Sequence, residues 1–415
     1  MRISRLWFTL PVLLGMSLLS WTSLSAQAQH RADMHEGEND EQSYSEPGAG
    51  HWLPGEESRS FENQDSEGKR PGPPRASTDD SVPSGLVVVI ENKPQQDRLD
   101  LRALNNPFIS GVALQIHWSD LEPVQGKPDW SKLDQLFAAA ESSKKWVQLL
   151  IFPGFFAPAW ALEGVKTEEF EIQYGPGKGT VLRLPMPWNS VYLNRWFAFL
   201  KQLSDRYGKS PAFRLIAADG PTSVSEEFTL PSSPEDVKKW INASYTPHKY
   251  LEAWQKVFQV YDADFPNQYI SLSLGFGLPI NEQGRIDPRE HKRTKQAVID
   301  QGIGLLGRRF ALQYSNLDGN PGLDKGPPGT ALVISYNERI ITGFQLRTSC
   351  ERNSGNMGAE GDPPLALKRS INKGMERNNA GQHVNYLEIY EPDVLADEMQ
   401  PVLRYGASLF EGKQH

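Results

Sequence analysis

From Leu86 onward the chain alternates between two hydrophobic rhythms. Short apolar runs of strand length alternate with longer stretches in which apolar residues return every three or four positions. The short runs fall at 86–91, 109–118, 146–152, 213–218, 269–274, 310–314, 342–348 and 384–390. The helical rhythm predicts helices over 129–144, 191–207, 250–261, 295–306, 331–336, 364–378 and 399–410. In the first of these, Leu133, Leu136, Phe137 and Ala140 share one face. Read as eight strand-then-helix units, residues 85–415 predict a single (β/α)8 TIM barrel with extended loops. The same alternation can build an open doubly wound sheet. The count of eight, and the lack of a G-x-G-x-x-G turn after an early strand, favour the barrel.

The first 84 residues follow neither rhythm. Arg2 and Arg5 precede an apolar run from Leu6 to Trp21, which ends in Ser25-Ala26-Gln27-Ala28. This predicts a signal peptide over 1–28, cleaved after Ala28, and export to the periplasm or beyond. The run is short for a membrane span and lacks a cationic stop after it. No second apolar segment is long enough to span, so no transmembrane segment is expected in the mature chain. Over 29–84, Glu, Asp, Ser, Gly and Pro dominate and apolar periodicity is absent. Such a stretch cannot bury enough surface to offset its conformational entropy, which predicts a disordered leader.

Composition narrows the function classes. A net charge of -8, with no Lys/Arg-rich face, argues against a nucleic-acid partner. The single cysteine, Cys350, rules out an internal disulfide and a Cys-based metal site. There is no His-x-x-His, no Glu-x-x-His and no phosphate-cradling glycine loop, so no metal or organic cofactor is expected. Eleven Trp, thirteen Tyr and eighteen Phe suit sugar rings as well as they suit a core.

In a barrel, reactive groups sit where strands end and loops begin. The second strand ends with His117, Trp118, Asp120 and Glu122; the third leads into Phe155, Phe156 and Trp160. The fourth breaks at Gly220-Pro221, near Asp219, and is followed by Ser225, Glu226 and Glu227. The sixth gives Gln313, Tyr314 and Asn316; the seventh Gln345, Arg347, Ser349 and Glu351; the eighth Glu388, Tyr390, Glu391 and Asp393. Carboxylates among aromatics are the equipment of glycoside hydrolysis.

The strand period points Tyr386, Glu388 and Tyr390 into the barrel, and Gln345, Arg347 and Ser349 likewise. An inward carboxylate is costly unless partnered, so Glu388 needs a reason. An ion pair with Arg347 supplies one, and so does catalysis, in which such an arginine keeps a nucleophile ionised. Glu227 reads as a solvated loop charge or as an acid; its place after the fourth strand and its neighbour Phe228 favour the acid. Glu226 is expected to point elsewhere. Trp118 and Trp160 are sugar platforms or core, Trp188 and Trp196 are packing, and Glu122 before Pro123 braces its loop.

The run Gly111-Val-Ala-Leu-Gln-Ile-His-Trp-Ser-Asp-Leu-Glu-Pro-Val-Gln-Gly, then Asp129-Trp130 and Leu133-Asp134, resembles the glycoside hydrolase clan A pattern. In the β-galactosidase-like and cellulase-like families of that clan, the second strand ends in Trp, followed by Glu-Pro and an aromatic-led helix. Pro158-Ala159-Trp160 resembles the Pro-x-Trp after the third strand of those families. The resemblance implies a (β/α)8 glycosidase with its acid/base Glu after the fourth strand, which carries over to Glu227. The clan's nucleophile usually ends the seventh strand. Here 343–350 holds no Glu, so the role falls to Glu351 just beyond or to Glu388 on the eighth strand. Nor does Glu227 follow the usual Asn.

The sequence thus predicts a secreted glycoside hydrolase acting on a poly- or oligosaccharide. Glu227 is its proton donor, and Glu388 or Glu351 its nucleophile or base. His117, Trp118, Trp160, Gln313, Tyr314, Gln345, Arg347 and Tyr390 are candidates to hold the sugar. The alternative is a non-catalytic carbohydrate-binding barrel in an envelope or matrix pathway; a carbohydrate lyase or transglycosylase is a third.

Overall fold

The structure, a computed structural model, describes residues 82–93, 95–173, 177–320 and 329–411. The predicted signal peptide (1–28) and nearly all of the predicted leader (29–84) lie outside the described residues. Contacts divide the described residues into two units. The larger holds residues within 82–171 and 181–411. The other is represented by 172–173 and 177–180, a turn in which the Ile172 N–H donates to the Thr180 carbonyl at 2.9 Å and the Gly179 N–H donates to the Ile172 carbonyl at 2.9 Å.

The larger unit contains a closed barrel of eight parallel strands arranged in chain order. These are β1 Gly85–Glu91, β2 Gly111–His117, β3 Trp146–Phe152, β4 Phe213–Ala217, β5 Tyr269–Ser273, β6 Phe310–Leu317, β7 Ile341–Leu346 and β8 Tyr386–Tyr390. The ring closes where β8 pairs with β1, Val87 lying opposite Glu388 and Val89 opposite Tyr390. All eight predicted strands are present. Barrel strands are covered on both faces, which is why they read as near-continuous apolar runs. β3 is buried along its whole length.

Large rings fill the N-terminal end of the barrel. Trp146, the first residue of β3, meets Tyr386, the first of β8, edge to face at 5.9 Å. Both are admitted by glycines on neighbouring strands. A Cβ at Gly343 would lie 2.2 Å from the Tyr386 ring, and one at Gly111 would lie 2.5 Å from the Trp146 indole. Val87, Val89, Ala113, Leu150, Phe152, Leu215, Ala217 and Ala311 complete this core.

The predicted helices appear as Ser131–Ser142, Ser190–Tyr207, Pro247–Asp264, Glu290–Leu306, Gly329–Ser335, Pro363–Gly374 and Gln400–Glu411. Three of them start with a side-chain cap: Asn189 accepts from the Tyr192 N–H at 3.1 Å, Thr246 from the Lys249 N–H at 3.3 Å and Asp362 from the Leu365 N–H at 3.0 Å. The first strand-to-strand crossover, over which the sequence predicts no helix, is the exception to the strand-then-helix alternation. It carries a four-residue 3-10 turn, Arg102–Asn105, and no α-helix. Among the shorter elements absent from the sequence reading, two pack together. One is an antiparallel hairpin of Thr167–Glu171 with Val181–Pro185. The other is the helix Pro234–Asn242, begun by a Ser233/Asp236 capping box. They meet where Phe170 stacks on Trp240 at 4.7 Å.

Three strand-end expectations change. Trp118 does not end β2; it opens the helical turn Trp118–Leu121 and is fully buried. β6 runs on to Leu317, with an irregular register between Tyr314 and Leu317 that takes in Asn316. β7 stops at Leu346, so Arg347 and Ser349 lie beyond it and the alternation does not reach them.

Candidate functional site

The loop after β4 is locked before it delivers its acids. Gly220 adopts φ +142°, a value side chains disfavour, and turns the chain out of the strand. Gly154 sits against the carbonyl of Ser223, where a Cβ would come within 2.1 Å. The Tyr250 hydroxyl donates to the carbonyls of Pro221 at 3.2 Å and Phe228 at 3.3 Å. Glu227 then forms a parallel bridge with Ser273 at the end of β5. The acid-bearing segment is thus an extension of the sheet.

Three acids come together there. Glu227 is half-buried and accepts from the Asn316 amide at 3.0 Å. Burial, and then the neighbouring Glu226 carboxyl, push it up to about 8. Glu226 does not point away, contrary to the sequence reading. It is buried and accepts from the Ser315 hydroxyl at 2.7 Å, and Ser315 is 2.8 Å from the Ser273 hydroxyl. Its second oxygen, Oε2, has no partner. Burial raises its pKa too.

Glu388 points into the barrel, as the strand period predicts. It is 0 % exposed. Its Oε2 accepts from the Gln345 amide at 2.7 Å and the Gln313 amide at 3.2 Å, while Oε1 has no partner. The network runs on: the Tyr386 hydroxyl donates to Gln313 at 2.7 Å, the Gln148 amide to Gln313 at 3.0 Å, and the Tyr390 hydroxyl to Gln345 at 3.2 Å. Burial pushes Glu388 up to about 8; the Gln345 hydrogen bond opposes this and the Glu226 charge adds to it. Asp219, on the same loop as Glu226, is fully buried with neither carboxyl oxygen hydrogen-bonded. Burial, then Glu226, hold it well above the usual range. Glu226 is therefore the hub whose field reaches Asp219, Glu227 and Glu388.

Arg347 is not the partner of Glu388. Its side chain is 52 % exposed and its guanidinium lies 3.9 Å from Asp318, itself paired with buried Lys373 at 3.4 Å. Two glutamine amides hold Glu388 in its place, which explains why a carboxyl is tolerated there without a cation. Glu351 is exposed, and its backbone N–H donates to Asp393 at 2.7 Å. Asp393 also accepts from the Cys350 N–H at 3.0 Å and the Ser349 hydroxyl at 3.0 Å, so it fastens the loop after β7. Burial outweighs these donors and pushes Asp393 up to about 6.

Among the predicted sugar contacts, His117 is partly exposed at the end of β2. It stacks on Phe156 at 3.8 Å with rings 5° apart and lies 3.7 Å from Asp120. Burial lowers its pKa; Asp120 opposes the shift. Tyr390 is partly exposed above Glu388 on the same strand. Tyr314 is buried, near enough to Glu227 for that charge to raise its pKa, though its own burial is the larger cause. Gln313 and Gln345 are buried members of the amide network. Trp118 is no platform: it packs edge-on to Trp160 at 5.4 Å and Trp196 at 5.1 Å, and its N–H donates to Glu122 at 3.1 Å. Glu122 also accepts the Gly126 N–H at 2.8 Å, the loop brace expected of it. Trp160 belongs to this cluster and turns outward from it.

Gln148, Ser273, Ser315 and the burial of Glu226 and Asp219 escaped the sequence reading. Gln148 and Ser273 had a signal: each is a polar residue inside an apolar strand run. Phe276, after β5, is 50 % exposed, and its N–H donates to Thr229 at 3.3 Å, two residues past Glu227. Among the described residues no group of three or more His, Cys, Asp or Glu is placed to hold a metal ion, and no helix is long and apolar enough to cross a membrane.

No protein-family model matches the chain, and no curated protein matches it. Among solved structures it is similar to the exo-β-1,4-mannosidase Op5Man5 from Opitutaceae bacterium strain TAV5, at 12 % identity and a TM-score of 0.42. The match covers 79 % of this chain and 60 % of that one, so the chain spans about three fifths of that enzyme's length. The closed parallel eight-stranded barrel is the fold that the clan A resemblance implies.

Proposed function

We propose that this barrel is a glycoside hydrolase, exported by its N-terminal segment, with Glu227 as proton donor to the departing sugar oxygen. The observation that carries this reading is the state of Glu227. It is half-buried at the C-terminal end of a barrel strand's loop, held by a neutral amide and pushed up to about 8. A carboxyl in that state keeps its proton at neutral pH and can donate it to a leaving group. The stacked His117–Phe156 pair, Tyr390 and the exposed Phe276 ring supply aromatic surface at the strand ends. In this reading Glu388 is the second acid, and its free Oε1 is the atom that a water or an anomeric carbon must reach. Gln345 and Gln313 aim it, and Glu351 is the less favoured second acid because its side chain stands exposed.

A second reading, a barrel that binds sugar without cutting it, is favoured by one observation: Glu388 is enclosed on all sides. Substitution separates the two. Glu227→Gln and Glu388→Gln are assayed on a glycan panel and on aryl glycosides with good and poor leaving groups. For the hydrolase, Glu227→Gln lowers turnover of poor leaving groups by roughly 10²–10⁴-fold and spares activated aryl glycosides by comparison. Glycan binding measured by calorimetry with no cleavage by wild type selects the second reading. Turnover at the wild-type rate in both variants removes the catalytic assignment.

A further inference from the structure

A cavity of about 450 Å³ lies between the helix Ser190–Tyr207 and the loops after β2 and β3. None of the three gathered acids lines it. One wall is Trp160, whose N–H is spent on the Glu122 carbonyl at 2.9 Å and whose ring is braced edge-on by Trp118 at 5.4 Å. A partly exposed indole fixed in this way offers a rigid aromatic face. The rest of the lining combines the neutral amides Gln125, Asn194 and Gln202 with the apolar Val191 and Ala198. Arg195 adds a guanidinium fixed by the carbonyls of Ala161 at 3.1 Å and Glu163 at 2.7 Å. The one acid in the wall, Glu122, has both oxygens engaged, on the Trp118 and Gly126 N–H groups.

We propose that this cavity is a saccharide-binding site between the helix Ser190–Tyr207 and the loops after β2 and β3, built without the three gathered acids. The match is chemical. A pyranose presents an apolar C–H face that packs on an aromatic ring, and a rim of hydroxyls that exchange hydrogen bonds with amides and a guanidinium. The volume falls in the range of small-ligand pockets. The absence of an available carboxylate suits a neutral sugar, and the chain's net charge of -8 disfavours a polyanion. The site would hold a glycan whether or not the barrel cleaves it.

The test titrates the full chain with gluco-, manno-, xylo- and N-acetylglucosamine oligomers by calorimetry, following the Trp160 indole N–H by NMR. Ala198 is exposed on the cavity wall, so Ala198→Trp fills the space from the surface without opening the core. At least one oligomer is expected to shift the Trp160 resonance. Ala198→Trp and Trp160→Ala are each expected to weaken that binding about tenfold or more. Because Trp160→Ala also removes a brace of Trp118, the filled variant decides, provided its melting temperature matches wild type. Wild-type affinity in Ala198→Trp for every oligomer overturns the proposal. So does a Trp160 resonance that no oligomer moves.

Discussion

Glu388 shows what one side chain demands of its surroundings. Placed on β8 with its head inside the barrel, it is cut off from bulk solvent. It answers with two glutamine donors on one oxygen and a pKa pushed up to about 8 by burial. The sign of the pH effect follows. The folded chain holds this proton longer than the unfolded chain, whose Glu titrates near 4.5. The folded state therefore binds more protons between these values, and stability falls as pH rises from about 4.5 to about 8. Glu388→Gln keeps the acceptor oxygen and abolishes the titration. Urea unfolding at pH 5 and pH 8 should show wild type losing on the order of a few kcal/mol across this window and the variant losing measurably less. An identical loss in both would mean that Glu388 does not control the slope.

At the scale of elements, the loops above the barrel are held by side chains from other elements. The short helix Glu391–Leu395 that follows β8 carries Asp393, which gathers two N–H groups and a hydroxyl from the loop after β7. Asp393→Ala strands those donors in a buried setting, which should cost about 3 kcal/mol. Amide exchange in 349–353 should quicken more than in β7 itself. Unchanged protection in that loop would show that packing of Cys350, rather than Asp393, fixes it. The loop after β4 is held in the same way, through Tyr250 from the helix Pro247–Asp264 and through Gly154 from the loop after β3. Acids that must keep a fixed position are thereby placed on irregular backbone without being left mobile.

At the scale of the whole molecule, ring closure depends on how the barrel is filled. Tyr386 and Trp146 occupy its N-terminal end only because Gly343 and Gly111 leave them room. Gly343→Ala puts a methyl into the Tyr386 ring, and the strand cannot retreat without losing its pairing to β8. The expected cost is about 1–3 kcal/mol, read as a lowered melting temperature. The double variant Gly343→Ala/Tyr386→Leu should recover part of that loss. No recovery would place the strain elsewhere than at this contact.

The strands and helices were legible in the sequence because each carries its own period. Continuous apolar runs marked β1 to β8, and three-and-four spacing marked the helices between them. The inward aim of Glu388 was legible for the same reason, since alternation on a strand is a local property. Alternation lapses where the strand does, and so Arg347, one residue past β7, was misplaced beside Glu388. The hairpin at Thr167–Glu171 and Val181–Pro185 carried too weak a pattern to be seen. Whether Trp118 was core or platform, and which of Glu226 and Glu227 faced inward, depended on residues tens of positions away, among them Ser315, Asn316, Trp160 and Trp196. Local periodicity determines which faces are apolar; the state of an acid is set by the charges and donors that closure brings around it, and only the folded barrel brings them together.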